Sequence, residues 1–263
     1  MKALKSLWKE IKQELREHKS SFYVYTILRA LVIILLIAEL VNRNFQSVFL
    51  CLLTLILLIM PSLLQVTLKI ELPTVLEITL LLFIFAAEIL GEIREFYIIF
   101  PYWDTMLHTL NGFLAAAIGF SLVDLLNKSD LLVFRLSPLF TSIVGFCFSM
   151  TIGAIWEIFE FGMDQFFLLD MQKDTIINQI STVVLDPAGS NHPVVISAIE
   201  DISINGSSLG LGGYLDIGLI DTMYDLIVNF IGAAVFSVIS YFYVKSQDQT
   251  SVINKLIPKR KNT

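Results

Sequence analysis

Between Leu219 and Val244 the chain reads LIDTMYDLIVNFIGAAVFSVISYFYV, an apolar run without Lys or Arg whose two charges, Asp221 and Asp225, stand at its head. A helix needs about 20 such residues to cross the hydrocarbon of a bilayer, and this run is long enough. Five earlier runs repeat the pattern: Val24–Val41, Phe45–Leu64, Pro73–Gly91, Trp103–Leu126 and Leu136–Gly162. The chain of 263 residues is 56% hydrophobic and only 16% charged, where a soluble domain averages about a quarter charged. Every backbone group in lipid must be satisfied within its own segment or a closed barrel, and the alternating pattern of barrel strands is missing, so the runs are helices. The expected fold is all-α: a polytopic transmembrane bundle of six spans, with an outer loop region between spans five and six.

Residues 1–22 form a leader ahead of a membrane domain at 23–244, and 245–263 form a basic tail. In the leader Leu4, Leu7, Trp8, Ile11 and Leu15 alternate with Lys2, Lys5, Lys9, Lys12 and Arg16, the spacing of an amphipathic helix on a membrane surface. A plain solvated helix fits as well. A small-residue cleavage site is lacking and the leader is long and charged, which argues against a cleavable signal.

Orientation follows from Lys and Arg in the connections. With the N-terminus inside, fourteen fall on inner segments and three, Arg43, Arg94 and Lys173, on outer ones. The bias places both termini in the cytoplasm. The formal charge of −6 thus divides into a basic inner side and acidic outer loops, and nothing points to nucleic acid. Cys51 and Cys147 lie in separate spans without metal spacing and read as small packing residues. Arg29 and Glu77, near the inner ends of their spans, are expected to snorkel to the headgroups. The outer segment 165–218 holds a short strand at Val194–Ile199. Its Gly-rich stretch Asn205–Tyr214 reads as a flexible lid or cap, since the glycines are too irregular for a phosphate loop.

Polar residues gather at one end of three spans. Asp104 and His108 open the fourth, Glu157, Glu160 and Asp164 close the fifth, and Asp221, Asp225 and Asn229 open the sixth. In this topology all fall on the outer side. Ionisable groups at membrane depth are costly and mark functional sites by default. The faces below them are small: Gly112, Ala115, Ala116 and Gly119; Gly145, Ser149 and Gly153; Gly232, Ala233 and Ser237. Small residues mark where membrane helices pack closely, so the three clusters are expected to converge inside the bundle. Helix capping accounts equally well for Asp104 and Asp221. It does not account for acids at the C-terminal end of the fifth span, nor for His108 and Asp225 one turn deeper. Glu88, Glu92 and Glu95 close the third span, but Leu81, Ile84 and Phe85 beneath them are large. Glu88 is assigned to the edge of the site, Glu92 and Glu95 to solvent.

Six carboxylates and an imidazole cannot all be charged in a low-dielectric pocket without compensation. Either protons are shared or a cation sits among them, and carboxylate and His ligands on facing helices are how bundle metal sites are built. The expected ligands of a divalent metal are Asp104, His108, Glu157, Glu160, Asp221 and Asp225, with Asp164, Asn229 and Glu88 orienting them. Without thiolates, Mn, Fe, Zn and Mg all fit.

Tyr102-Trp103-Asp104, His108, Gly112-Phe113, Trp156-Glu157 with Glu160, Asp221-Thr222, Asp225 and Gly232-Ala233 together resemble the uncharacterised YjdF-like family of bacterial integral membrane proteins. The resemblance runs from about Glu88 to Tyr243. Asp225, Asn229 and Gly232-Ala233 are also distantly similar to VanZ-like proteins, without the Arg those carry near the site; that family is tied to antibiotic tolerance at the Gram-positive surface. The closer resemblance implies no particular activity. Three functional readings stay open. The first is a metal-assisted enzyme on a lipid or lipid-linked substrate, with Glu157, Glu160 and His108 as candidate catalytic groups. The second is a structural or regulatory membrane protein whose polar cluster only packs helices. The third is a proton- or cation-coupled transporter, against which stand the lack of an internal repeat and of a Gly/Pro-broken pair of spans, and acids at one face instead of the midplane.

Overall fold

A computed structural model describes residues 19–127, 136–246 and 256–260. Most of the expected leader helix and of the basic tail lies outside these described residues. Among the described residues six helices are long and apolar enough to cross a membrane: Ser20–Val41, Phe45–Thr67, Thr74–Ile93, Trp103–Asn127, Pro138–Phe167 and Leu219–Ser246. They match the six expected runs, with the fifth reaching five residues further than its expected end at Gly162. The described residues divide into two compact units, one of those up to Ile152 together with those from Val228 on, the other Gly153–Ile227.

In the first unit α1 (Lys19–Val41) buries Tyr25, Leu28 and Val32 against Cys51, Leu58, Leu81 and Ile89 of the next two spans. Its opposite side, Ile27, Leu31, Ile34 and Ile37, is exposed and apolar, as a lipid-facing surface requires. The second span is not one helix. It breaks between α2 (Phe45–Leu57) and α3 (Met60–Leu68), because Pro61 lacks the N–H that would bond the Leu57 carbonyl. The third span changes winding midway, from α4 (Thr74–Phe85) to a π-helix at Ala86–Ile93. A short α5 (Phe96–Ile99) follows, with the Tyr97 ring lying where a side chain at Gly91 would be. Glu77 does not snorkel. It is 3% exposed and accepts a hydrogen bond from Gln65 Nε2 at 3.3 Å, while Gln65 Oε1 accepts the Leu72 N–H at 2.8 Å. The Gln65 amide thus satisfies the turn between the two spans, and turning Glu77 to lipid headgroups would leave that amide unpaired at zero exposure.

The small-residue faces pack as their spacing predicts. On α6 (Trp103–Asn127), Gly112 lies so close to α8 (Leu219–Ser246) that an added Cβ would strike the Asn229 carbonyl oxygen. Gly232 reciprocates, since its Cβ would strike the Thr109 carbonyl oxygen on α6. On α7 (Pro138–Phe167), Gly145 sits 3.0 Å from the Ala116 carbonyl oxygen by the same measure, and Ser149 Oγ donates to the Gly112 carbonyl at 2.7 Å. Phe113 and Phe120 stack edge-on against Phe236, with centroids 5.1 and 6.0 Å apart. Ala116, Ala117, Ala233 and Phe236 are fully buried beside them.

The second unit contains the ends of α7 and α8 and the segment between them. That segment carries antiparallel two-stranded ladders. β2 (Thr175–Ile177) pairs with β7 (Tyr214–Asp216), β3 (Ile180–Thr182) with β4 (Val194–Ile196), and β5 (Ser203–Ile204) with β6 (Ser207–Ser208). The last is closed by Asn205-Gly206, both at positive φ (55° and 83°), the pair a two-residue hairpin turn demands. Asn178 fastens the ladders together, its amide donating to the Ile199 and Gly212 carbonyls at 2.7 and 2.8 Å. β1 (Ile70–Glu71) and β8 (Lys259–Arg260) pair in the first unit.

Two glycine substitutions test this packing with opposite signs. Gly232→Ala forces α6 and α8 apart and is expected to cost about 1–3 kcal/mol of overpacking. Gly162→Ala on α7 meets no atom nearer than 4.0 Å and should gain up to about 1 kcal/mol of helix propensity. Reversible unfolding in mixed micelles reads both.

Candidate functional site

The head of α6 carries Asp104 in its first turn, where an acid complements the helix dipole. His108 follows one turn later, its Nε2 3.4 Å from Asp104 Oδ1, with the His side chain 11% exposed and the Asp 32%. Residues four apart share a helix face. The next residue on that face is Asn111, whose Nδ2 donates to Asn229 Oδ1 at 3.0 Å. Asn229 is fully buried, and its own amide points at Met150 Sδ, 3.6 Å away. A polar thread therefore runs down α6 from Asp104 through His108 to the Asn111–Asn229 bond. Asn111 escaped the sequence reading. The signal for it was its place seven residues after Asp104, on the same face, in an otherwise apolar stretch.

Glu88 lies on the π-helix, is 3% exposed, and has one carboxyl oxygen without a hydrogen-bond partner among the described residues. Single-turn π-helices recur at functional sites. No small-residue face lies beneath Glu88: Leu81, Phe83, Ile84 and Phe85, in the α-helical part of the span, are all large.

In the second unit Glu157, Glu160 and Asp225 are buried, at 5, 8 and 3% exposure. Glu160 accepts a hydrogen bond from Trp156 Nε1 at 2.9 Å, so Trp156 orients an acid in addition to any interfacial role. Asp164 and Asp221 do something else. Asp164 accepts the backbone N–H groups of Met171 (2.7 Å) and Gln172 (2.9 Å), and Asp221 accepts that of Lys173 (2.8 Å). The Gln172 side chain also donates to the Thr222 hydroxyl. One acid from the end of α7 and one from the start of α8 thus grip the same three-residue stretch. Asp216 supplies the capping acceptor at the head of α8, bonding the Ile220 N–H at 2.9 Å.

Among the described residues outside the membrane spans, Asp174, Asp186 and Asp201 are displaced from the ordinary carboxyl range. Asp174 is raised by partial burial and by the neighbouring charges of Asp170, Asp216 and Asp164. Asp186 is lowered by the N–H groups of His192 and Ala188 and the Ser190 hydroxyl. Asp201 is lowered by the Ser208 hydroxyl.

Asp104, His108 and Asp225 amount to one imidazole and two carboxylates, a donor set that could hold a metal ion. Six apolar spans, the last three packed through small residues, with acids buried among them, define a multi-pass helical membrane protein. The chain belongs to the family described as predicted membrane protein (DUF2238), whose model matches residues 24–246. That match is consistent with the YjdF-like resemblance read from the sequence; no match supports the VanZ-like one. Neither a curated protein nor a solved structure matches the chain.

The Asp186 loop yields a pH prediction. A carboxyl whose folded value lies below its unfolded one stabilises the fold above the unfolded value, and this contribution is lost as pH falls through the folded value. The Ser190 and His192 amides should therefore exchange slowly at neutral pH and lose protection in acid below the ordinary Asp range. Asp186→Ala should abolish both the protection and its pH dependence.

Proposed function

We propose that this protein is a membrane-embedded metalloprotein in which Asp104, His108 and Asp225 hold a divalent cation next to a lipid or lipid-linked substrate. The observation that carries the reading is the close crossing of α6 and α8. Asn111 meets Asn229, and Gly112 and Gly232 lock the level below. Phe120 meets Phe236 further down, so the two helices run parallel. One turn toward their heads, α6 presents His108 and Asp104, and α8, continuous from Leu219 to Ser246, presents Asp225. A bound cation would polarise a phosphoryl or acyl oxygen or lower the pKa of water. Glu157 and Glu160 are the candidate bases, Glu160 being held by Trp156. Glu88 and Asn229 are groups that would orient the ligands.

A structural reading has its own support in Asp164 and Asp221, whose oxygens are used on backbone N–H groups and which need no ion to be explained. Metal analysis separates the two. Protein purified without chelator should carry about one divalent ion per chain, since ligand binding at such sites is tight. His108→Ala and Asp225→Asn should each lose it while the protein stays folded. An ion-free wild type ends the metalloprotein reading and leaves the structural one.

For orientation we propose both termini on the cytoplasmic side of a bacterial membrane, from the fourteen-to-three distribution of Lys and Arg. In intact cells Asn191→Cys should react with an impermeant maleimide and Asn254→Cys should not. The reverse pattern overturns the topology.

A further inference from the structure

The segment Leu256–Arg260 is short and lies far from the acidic clusters in sequence, yet it enters the interior of the first unit. Ile257 is 7% exposed and belongs to the core formed by Ala116, Ala117, Phe120, Ala233 and Phe236. Phe120 precedes the end of α6 at Asn127 by seven residues, and Phe236 precedes the end of α8 at Ser246 by ten. Tyr243 and Val244, close to the end of α8, pack on the same core, so Ile257 sits among side chains of α6 and α8 toward their C-terminal ends. Pro258 is fully buried, and Leu256 packs on a separate core of Ile70, Leu72, Leu76 and Leu114.

Non-helical backbone buried in a membrane bundle is tolerated only where protein surrounds it and satisfies it. Both conditions hold. Pro258 has no N–H to satisfy. The two residues after it pair with the backbone of the turn between spans two and three, Arg260 opposite Ile70 and Lys259 opposite Glu71. The same elements carry buried polar groups: Gln65 and Glu77 flank that turn, and Ser121 and Asp124 follow Phe120 on α6, all 5% exposed or less. A bundle with these groups inside needs its end closed.

We propose that Leu256–Arg260 is a re-entrant plug: the tail returns into the end of the bundle, fills the gap between the turn at 70–72 and helices α6 and α8, and keeps water from the polar interior. The seat is a peptide-binding groove occupied in cis. It accepts an extended apolar-apolar-Pro sequence, with β1 as the strand the ligand adds to. This inference does not depend on a metal or on the reaction proposed above.

Cysteine accessibility of the full chain in detergent tests it, in a Cys51→Ala, Cys147→Ala background with a hydrophilic maleimide. Ile257→Cys should react at least about tenfold more slowly than Ser246→Cys, because reaction requires the segment to open first. Equal rates overturn the proposal. With Ala117→Cys as reporter, Ile257→Asp should unseat the tail and raise labelling at position 117 by about tenfold or more, to a rate set by the open state. Unchanged protection of Ala117→Cys in a tail shown to be released would mean that the segment is a surface latch and not a plug. If Ile257→Asp unfolds the protein, the comparison of Ile257→Cys with Ser246→Cys decides alone.

Discussion

Two glycines facing each other across α6 and α8 set the geometry on which the polar groups depend. In lipid there is no hydrophobic gain from bringing helices together, so association rests on close van der Waals packing and interhelical hydrogen bonds. Gly112 and Gly232 remove the side chains that would hold the backbones apart, each placing its Cα against a carbonyl oxygen of the other helix. The Asn111–Asn229 bond at 3.0 Å exists only at that separation, and a methyl group at either glycine would lengthen it. The chemistry of the α6 head thus inherits its precision from residues that have no chemistry.

The acids fall into two populations with different physics. Asp164 and Asp221 are half-buried and spend their lone pairs on backbone N–H groups, an arrangement that stabilises a carboxylate without any counter-ion. Glu157, Glu160, Asp225 and Glu88 are nearly excluded from solvent, and an ionised carboxyl there is costly unless paired or hydrogen-bonded. Sequence position does not separate the groups, since Glu157, Glu160 and Asp164 all lie on one face of α7. What separates them is how far each stands from the end of the helix, where loop backbone becomes available as a donor.

The six spans were legible because hydrophobic length is a property of composition, and the packing faces because small residues repeated every four positions. Helix interruptions were less so. Pro61 is a visible breaker inside the second run, but the π-helix at Ala86–Ile93 leaves no comparable mark. Asn205-Gly206 is a strong hairpin signal that the irregular glycines around it obscured. Glu77 was misplaced because its neighbour in space, Gln65, is twelve residues away, and no periodicity reports such a pairing. The seat of Ile257 is more distant still, since it depends on a tail meeting helices far behind it in the chain.

The grip of Asp164 and Asp221 on residues 171–173 has a consequence for how the protein can vary. It brings the exit of α7 and the entrance of α8 onto one short piece of backbone, so everything from Asp174 to Leu215 hangs from a closed neck, with β2 and β7 as its collar. A segment attached in this way behaves as an insertion. It can be lengthened, exchanged for another ladder or fused to a reporter at its Asp186–His192 tip without shifting the register of a helix, because loop-closure entropy grows only slowly with length.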